Sequence, residues 1–392
     1  MSQYGDIGTM GRQYLQAESY GAAAFCFYRA LLDDKNNNNA WNGIILSLSL
    51  MRKEGDSQTM LARFALNPQL NFDRDMITFA MMLFQHNPLA MSQWLRGIIQ
   101  MNGISETDQA NLGELAADLE RAYAGLVAEH GEETLKEQGM VELKDYALRR
   151  IELDWLLEES IDNIFGHLGQ WLEDPEMVLP AVRLLCMLPD PRSEKMLRRV
   201  CRNDAVDAKV RTHGLLALRW LGVRGNAKLQ KFGESFVINL DEPDPELTVS
   251  VPTAFRPALD RIKLWVAKEQ GLISAETYEQ HASTDEVQLP EEVAAKLNEA
   301  DVPTVLQEVS HMLIRAAYDR VYPYVPHVEA TRNWAAALLR LMREYSVGMG
   351  QGWPYGDPEN NEDVERHRQW LLTGSPDFYE VLQARGAQQP QA

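Results

Sequence analysis

Ile7-Gly-Thr-Met10-Gly11-Arg-Gln-Tyr14, followed by Ala23, Phe27 and Ala30, is the stretch whose reading decides the fold. Its apolar residues recur at helical spacing and predict helix A over Ile7–Gln16 and helix B over Tyr20–Leu32. Small residues at Gly11 and Ala23 let the two helices approach, Tyr14 and Phe27 fill the space between them, and Ala30 is small again. The polar run Asn36–Asn39 has the turn chemistry a second unit needs before it. Trp41 then stands 34 positions after Ile7, with Ile44 behind it. In that second unit Ile45 takes the place of the packing glycine and Leu48 that of the tyrosine, and Gly55-Asp56 supplies the turn.

This spacing resembles the tetratricopeptide repeat, W-x2-LG-x2-Y and then A-x3-F over about 34 residues. The resemblance covers residues 1–66 and implies stacked helix pairs whose A helices line a groove. The groove positions would be Gly8, Arg12, Leu15, Gln16, Asn42, Leu46 and Ser49, a mixture suited to an extended peptide with a modest apolar anchor. The Lys/Asn carboxylate clamp of some family members is missing here, so capture of a C-terminal carboxylate is not implied. The alternative is that the two units only cap a longer solenoid.

Residues 67–172 read as further helices without a clean repeat, broken at Asn87-Pro88 and entered again at Ser105. Residues 106–176 carry 19 acidic against 5 basic side chains, as a solvated helical face would. Between 173 and 233, Asp204-Ala-Val-Asp-Ala-Lys-Val-Arg211 followed by Leu215, Leu218 and Leu221-Gly222 resembles the second helix of a HEAT repeat. Residues 234–253 alternate β-branched residues and prolines. They predict either a linker or a small hairpin with strands at Phe236–Leu240 and Leu247–Val251. Residues 254–383 are helical again and resemble no family, and 384–392 read as a disordered tail. The expected fold is all-α: a right-handed helical-repeat solenoid, tetratricopeptide-like and then HEAT-like, followed by a smaller helical C-terminal domain.

Across 392 residues the hydrophobic fraction is 45%, which suits a folded chain, and the net charge of -19 repels DNA and anionic lipid away from any basic patch. One such patch interrupts the acidic field. Arg192, Lys195, Arg198, Arg199, Arg202, Lys209, Arg211, Arg219, Arg224, Lys228 and Lys231 meet only four acidic residues. They could hold phosphates, an acidic protein, or the chain's own acidic stretch; pairing within the chain is the expectation. Cys26, Cys186 and Cys201 have no CxxC spacing and read as reduced, buried thiols. The start shows no signal-peptide pattern and no window is apolar enough to span a membrane, so a cytoplasmic location is expected.

Chemistry-bearing motifs are sparse. Glu308 and His311 form a single Glu-x-x-His, and no HExxH, paired CxxC or GxSxG occurs. No catalytic, metal or cofactor site is expected. Gly348-Met-Gly-Gln-Gly-Trp353-Pro-Tyr355-Gly lacks the strand and Lys-Ser/Thr of a phosphate loop, so Trp353 and Tyr355 are read as helix-capping or as binding aromatics. The expected function is a non-enzymatic scaffold or adaptor for a protein or peptide partner. A nucleic-acid-associated adaptor using the 192–231 face is the alternative. A C-terminal enzyme would have to gather His311, His327 and several acids. The oligomeric state is not legible.

Overall fold

Tyr20-Gly-Ala-Ala-Ala-Phe-Cys-Phe-Tyr-Arg-Ala-Leu-Leu-Asp33 is apolar on nearly every side, and a helix of that kind must lie inside a protein. In the computed structural model, which describes residues 7–137, 139–283 and 289–386, it does so as α2 (Tyr20–Asp33), between α1 (Ile7–Gln16) and α3 (Asn38–Leu50). The described residues are mostly helical, with one two-stranded sheet. They form two units. Unit 1 is Met1–Val200 with Gly214–Asn226, and unit 2 is Cys201–His213 with Ala227–Ala392.

Unit 1 continues through α4 (Glu54–Ala65), α5 (Asp75–Leu83), α6 (Pro88–Ile98) and the long α7 (Glu106–His130). Each helix of α1–α7 packs on the next, α1 also on α3 and α4 also on α6. Side chains stop and start the helices: Asn37, Asn87 and Ser105 accept hydrogen bonds from the N–H groups of Ala40, Ala90 and Asp108. The Phe27 ring lies against both Gly11 and Gly43, where a Cβ would overlap it. The packing glycine of the second pair is thus Gly43, two residues before the position at which Ile45 stands. Asparagines stitch the loops between pairs. Asn38 donates to Asn71 O at 2.7 Å and accepts from Asn71 N at 3.0 Å, and Asn102 bridges Asn71 in turn. Asn38→Ala removes two exposed bonds and should cost about 1 kcal/mol, read as a Tm lower by a few degrees.

Beyond α7 the chain returns. It runs through α8 (Glu132–Glu137), α9 (Leu143–Leu148), α10 (Glu152–Glu158), α11 (Ile161–Trp171) and α12 (Val178–Leu185). α9 packs on α4 and α6. Asp154 accepts from Tyr28 Oη and from Arg63 Nη2 (3.0 Å), and Glu152 pairs with Lys53. An open solenoid touches only sequence neighbours; here residues 142–158 cover α2 and α4. The reason is that α2 and α4 remain apolar on the side that their neighbours in sequence leave open.

α13 (Pro191–Arg202) and α14 (Ala208–Leu221) each contribute to both units. Unit 2 then holds β1 (Asn226–Lys231) from Ala227 onward, β2 (Glu234–Asn239), α15 (Arg256–Glu269), α16 (Ala275–Ala282), α17 (Glu291–Glu299), α18 (Thr304–Val321), α19 (Thr331–Gly348), α20 (Glu362–Leu372) and α21 (Phe378–Gly386). Its core gathers Phe255, Trp265, Leu313, Trp334 and Leu338. The hairpin differs from the one expected. Its strands are 226–231 and 234–239 around Phe232-Gly233, while Pro245–Leu247 is a short 3-10 turn. Prolines at 243 and 245 deny that stretch a ladder, whereas Phe232 and Gly233 both take positive φ and close a tight turn. Residues 234–253 belong to unit 2 together with all that follows, so the expected linker lies inside that unit. Of the expected tail, residues 384–386 end α21 and the rest lies outside the described residues.

Candidate functional site

The expected groove positions sit on α1 and α3. Arg12 and Gln16 are exposed, and Leu15, Asn42, Leu46 and Ser49 are half-buried. Three are engaged within the fold: Arg12 Nη2 donates to Thr9 Oγ1 at 2.9 Å, Asn42 donates to Asp73 just ahead of α5, and Ser49 Oγ lies 2.7 Å from Ser57 Oγ. The Asn42 amide oxygen is buried and accepts no hydrogen bond. α5, outside the groove positions read from the sequence, carries Met81 and Met82 at 54% and 65% exposed. Its composition, Asp-Met-Ile-Thr-Phe-Ala-Met-Met-Leu, carried the signal: it is too apolar for a helix with an exposed side. Leu50 and Met10 are exposed nearby in sequence on α3 and α1. The B helices α2 and α4, by contrast, are buried along most of their length.

The expected basic face is largely spent on the chain itself. Arg192 bonds Asp162 (2.7 Å) and Asp190 (3.0 Å) and covers the Phe165 ring. Arg199 reaches Glu173, and Arg198 reaches Glu194 and Asn226 O. Arg219 holds Glu18 and Ala17 O, and Arg224 holds Ser19 Oγ. In unit 2 Lys209 donates to Gly374 O, and Arg211 to Asp204 and Gln230 O. Lys195, Arg202 and Lys228 remain exposed. Asp162 and Glu173 belong to the acidic stretch, so these bonds favour pairing within the chain.

Two further clusters contain perturbed groups. In unit 1, Glu152 pairs with Lys53 and Arg183, and Asp56 stands beside them. Burial, with Glu152 adding to it, raises the Asp56 carboxyl to about 6. In unit 2, Lys231 Nζ donates to Thr212 Oγ1 (2.6 Å), Asp319 O (2.8 Å) and Arg320 O (3.0 Å). Burial drives its pKa down to about 7. The Asp319 carboxylate accepts from Arg315 Nη2 at 2.5 Å and lies 3.2 Å from His213 Nε2. A lysine of lowered pKa on a hydroxyl has the form of a nucleophile and its base. Thr212 and Lys231 are both fully buried.

Trp353 and Tyr355 pack on Trp265 of α15, with ring centroids at 6.1 and 5.6 Å, and Tyr355 Oη donates to Asp301 O at 3.0 Å. These contacts seat the loop on α15. A recess between Arg261, Trp265, Tyr278, Arg332 and Glu359 has room for about one water molecule. Arg332 is fixed there by Glu279 (2.7 Å) and Glu359. His311 is half-buried on α18, and burial lowers its pKa, while His327 is exposed against Glu329. Among the described residues no group of three or more His, Cys, Asp or Glu could hold a metal ion, and no helix is long and apolar enough to cross a membrane. Comparison with protein-family models, with curated proteins and with solved structures finds no match.

Proposed function

We propose that unit 1 is a non-enzymatic binding scaffold: the pairs α1–α6 form a short helical-repeat array that receives a peptide or protein partner on its A helices. One observation carries the reading. The returning residues Glu152 and Asp154 bond Lys53, Tyr28 and Arg63, so the B helices are covered along most of their length, with Leu32 of α2 left 54% exposed. The A helices α1, α3 and α5 keep exposed or half-buried apolar residues: Met10, Leu15, Leu46, Leu50, Met81 and Met82. Methionines on an exposed helix adapt to varied apolar side chains, and Arg12 and Gln16 add polar selectivity. The partner is an extended or helical peptide with at least one apolar anchor.

A displayed random-peptide library selected on the intact chain tests this. Enriched peptides should bind the wild type and lose about tenfold or more in affinity against Met81→Glu with Met82→Glu, which removes roughly 1.4 kcal/mol or more of anchor burial. Both side chains are exposed, so the fold should tolerate the change. Peptides indifferent to these substitutions and to Arg12→Glu would refute the reading.

A further inference from the structure

The two-residue turn sets the register of the hairpin. With positive φ at Phe232 (+54°) and Gly233 (+78°), Lys231 pairs with Glu234, Leu229 with Phe236 and Ala227 with Ile238. Exposure agrees: Ala227, Leu229 and Lys231 are buried, and Phe236 and Ile238 half-buried. The alternate β2 residues Ser235, Val237 and Asn239 are exposed, and their N–H and C=O groups point away from β1. Among the described residues no backbone group bonds to that outer edge.

Open edges are usually blunted by lysine, proline or a bulge. β2, Glu-Ser-Phe-Val-Ile-Asn, has neither lysine nor proline; its one charge, Glu234, accepts from Tyr324 Oη at 2.9 Å. Val237 is 62% exposed, and Phe232 in the turn is 53% exposed. A phenylalanine held at positive φ costs about 1–2 kcal/mol; here its ring rests against Tyr324 and stays about half exposed.

We propose that this edge joins two copies of the chain, β2 pairing antiparallel with β2 across a two-fold axis at Val237. A two-fold antiparallel pair sets one residue opposite its own counterpart. Centring on Val237 sets Ser235 opposite Asn239, Phe236 opposite Ile238 and Glu234 opposite Leu240. No carboxylate then meets another, in a chain of net charge -19 where most self-contacts would oppose like charges. That self-complementarity selects a second copy over a foreign strand.

Light scattering and sedimentation of the intact protein at about 150 mM salt, from about 1 to 100 µM, should show a concentration-dependent dimer. Val237→Pro removes only an outward-facing N–H, so the hairpin should persist while dimer affinity falls at least about tenfold. Val237→Cys should form a covalent dimer under mild oxidation, since opposed residues of this kind have Cα atoms about 5.5 Å apart. Lys228→Cys, exposed on β1, should not, and the native Cys26, Cys186 and Cys201 are buried. A wild type that stays monomeric to about 100 µM overturns the proposal, even if the edge then takes up an extended apolar peptide. A dimer that survives Val237→Pro without Val237→Cys cross-linking also overturns it.

Discussion

Lys231→Met is expected to abolish a rise in stability that the wild-type chain shows between pH 7 and about 10. Lys231 is fully buried, and burial lowers its pKa from 10.5 to about 7, against the partial support of Asp319. Of the other charges that face it, Asp207 also raises the value, while Arg211 and Arg320 lower it. Between those two pKa values the unfolded chain holds a proton that the folded chain has released, so stability increases with pH. Below pH 7 both states are protonated and the folded state bears the whole cost of the buried ammonium. The accumulated gain is on the order of 4 kcal/mol. His213, Arg315 and Asp319 remain in both proteins, so the difference between their pH profiles isolates the lysine. Denaturant titrations at pH 7 and 9.5 supply the measurement; parallel profiles would mean that water or backbone motion solvates Nζ.

Gly21→Ala should destabilise unit 1 by about 3 kcal/mol or more. Gly21 lies in the first turn of α2, where a Cβ would fall on the carbonyl oxygen of Cys186 and 2.7 Å from its carbonyl carbon, with Trp220 O at 3.2 Å. The obstruction is backbone on both sides and cannot rotate away, which puts the cost at or above the usual range for overpacking. Gly125→Ala, inside α7 with nothing near its Cβ, should instead be neutral or stabilising by up to about 1 kcal/mol. Thermal melts of the two variants beside the wild type decide the matter. A Gly21→Ala protein with an unchanged Tm would mean that α2 and Cys186 are not in contact.

The difference between these two glycines marks how far the sequence could be read. Local chemistry was legible: the bounds of α1, the break at Asn87-Pro88 and the entry at Ser105 follow from periodicity and capping within a few residues. The mainly helical character followed from the same signals. What was not legible depends on distant returns. Gly21 meets a carbonyl 165 residues later, and Tyr28 meets Asp154 126 residues later. Nothing around Gly21 or Tyr28 marks those partners. The hairpin was misplaced for a related reason. Asn226-Ala-Lys-Leu-Gln-Lys231 reads as a charged surface segment until Thr212 and the end of α18 bring three acceptors to Lys231. On the candidate binding face, Arg12, Leu15 and Leu46 came from the repeat spacing. Met81 and Met82 lay beyond the residues that carry it.

The interleaving of the two units bears on how the chain is made and cut. Residues 201–213 go to unit 2, and the next thirteen, 214–226, return to unit 1. On the ribosome, unit 1 cannot close until residue 226 has left the exit tunnel, by which time the first strip of unit 2 is already outside and waiting. A protease that nicks the chain between residues 201 and 226 severs each unit from part of itself. Fragments 1–226 and 201–392 would each hold one whole unit, and each would also carry thirteen residues of the other.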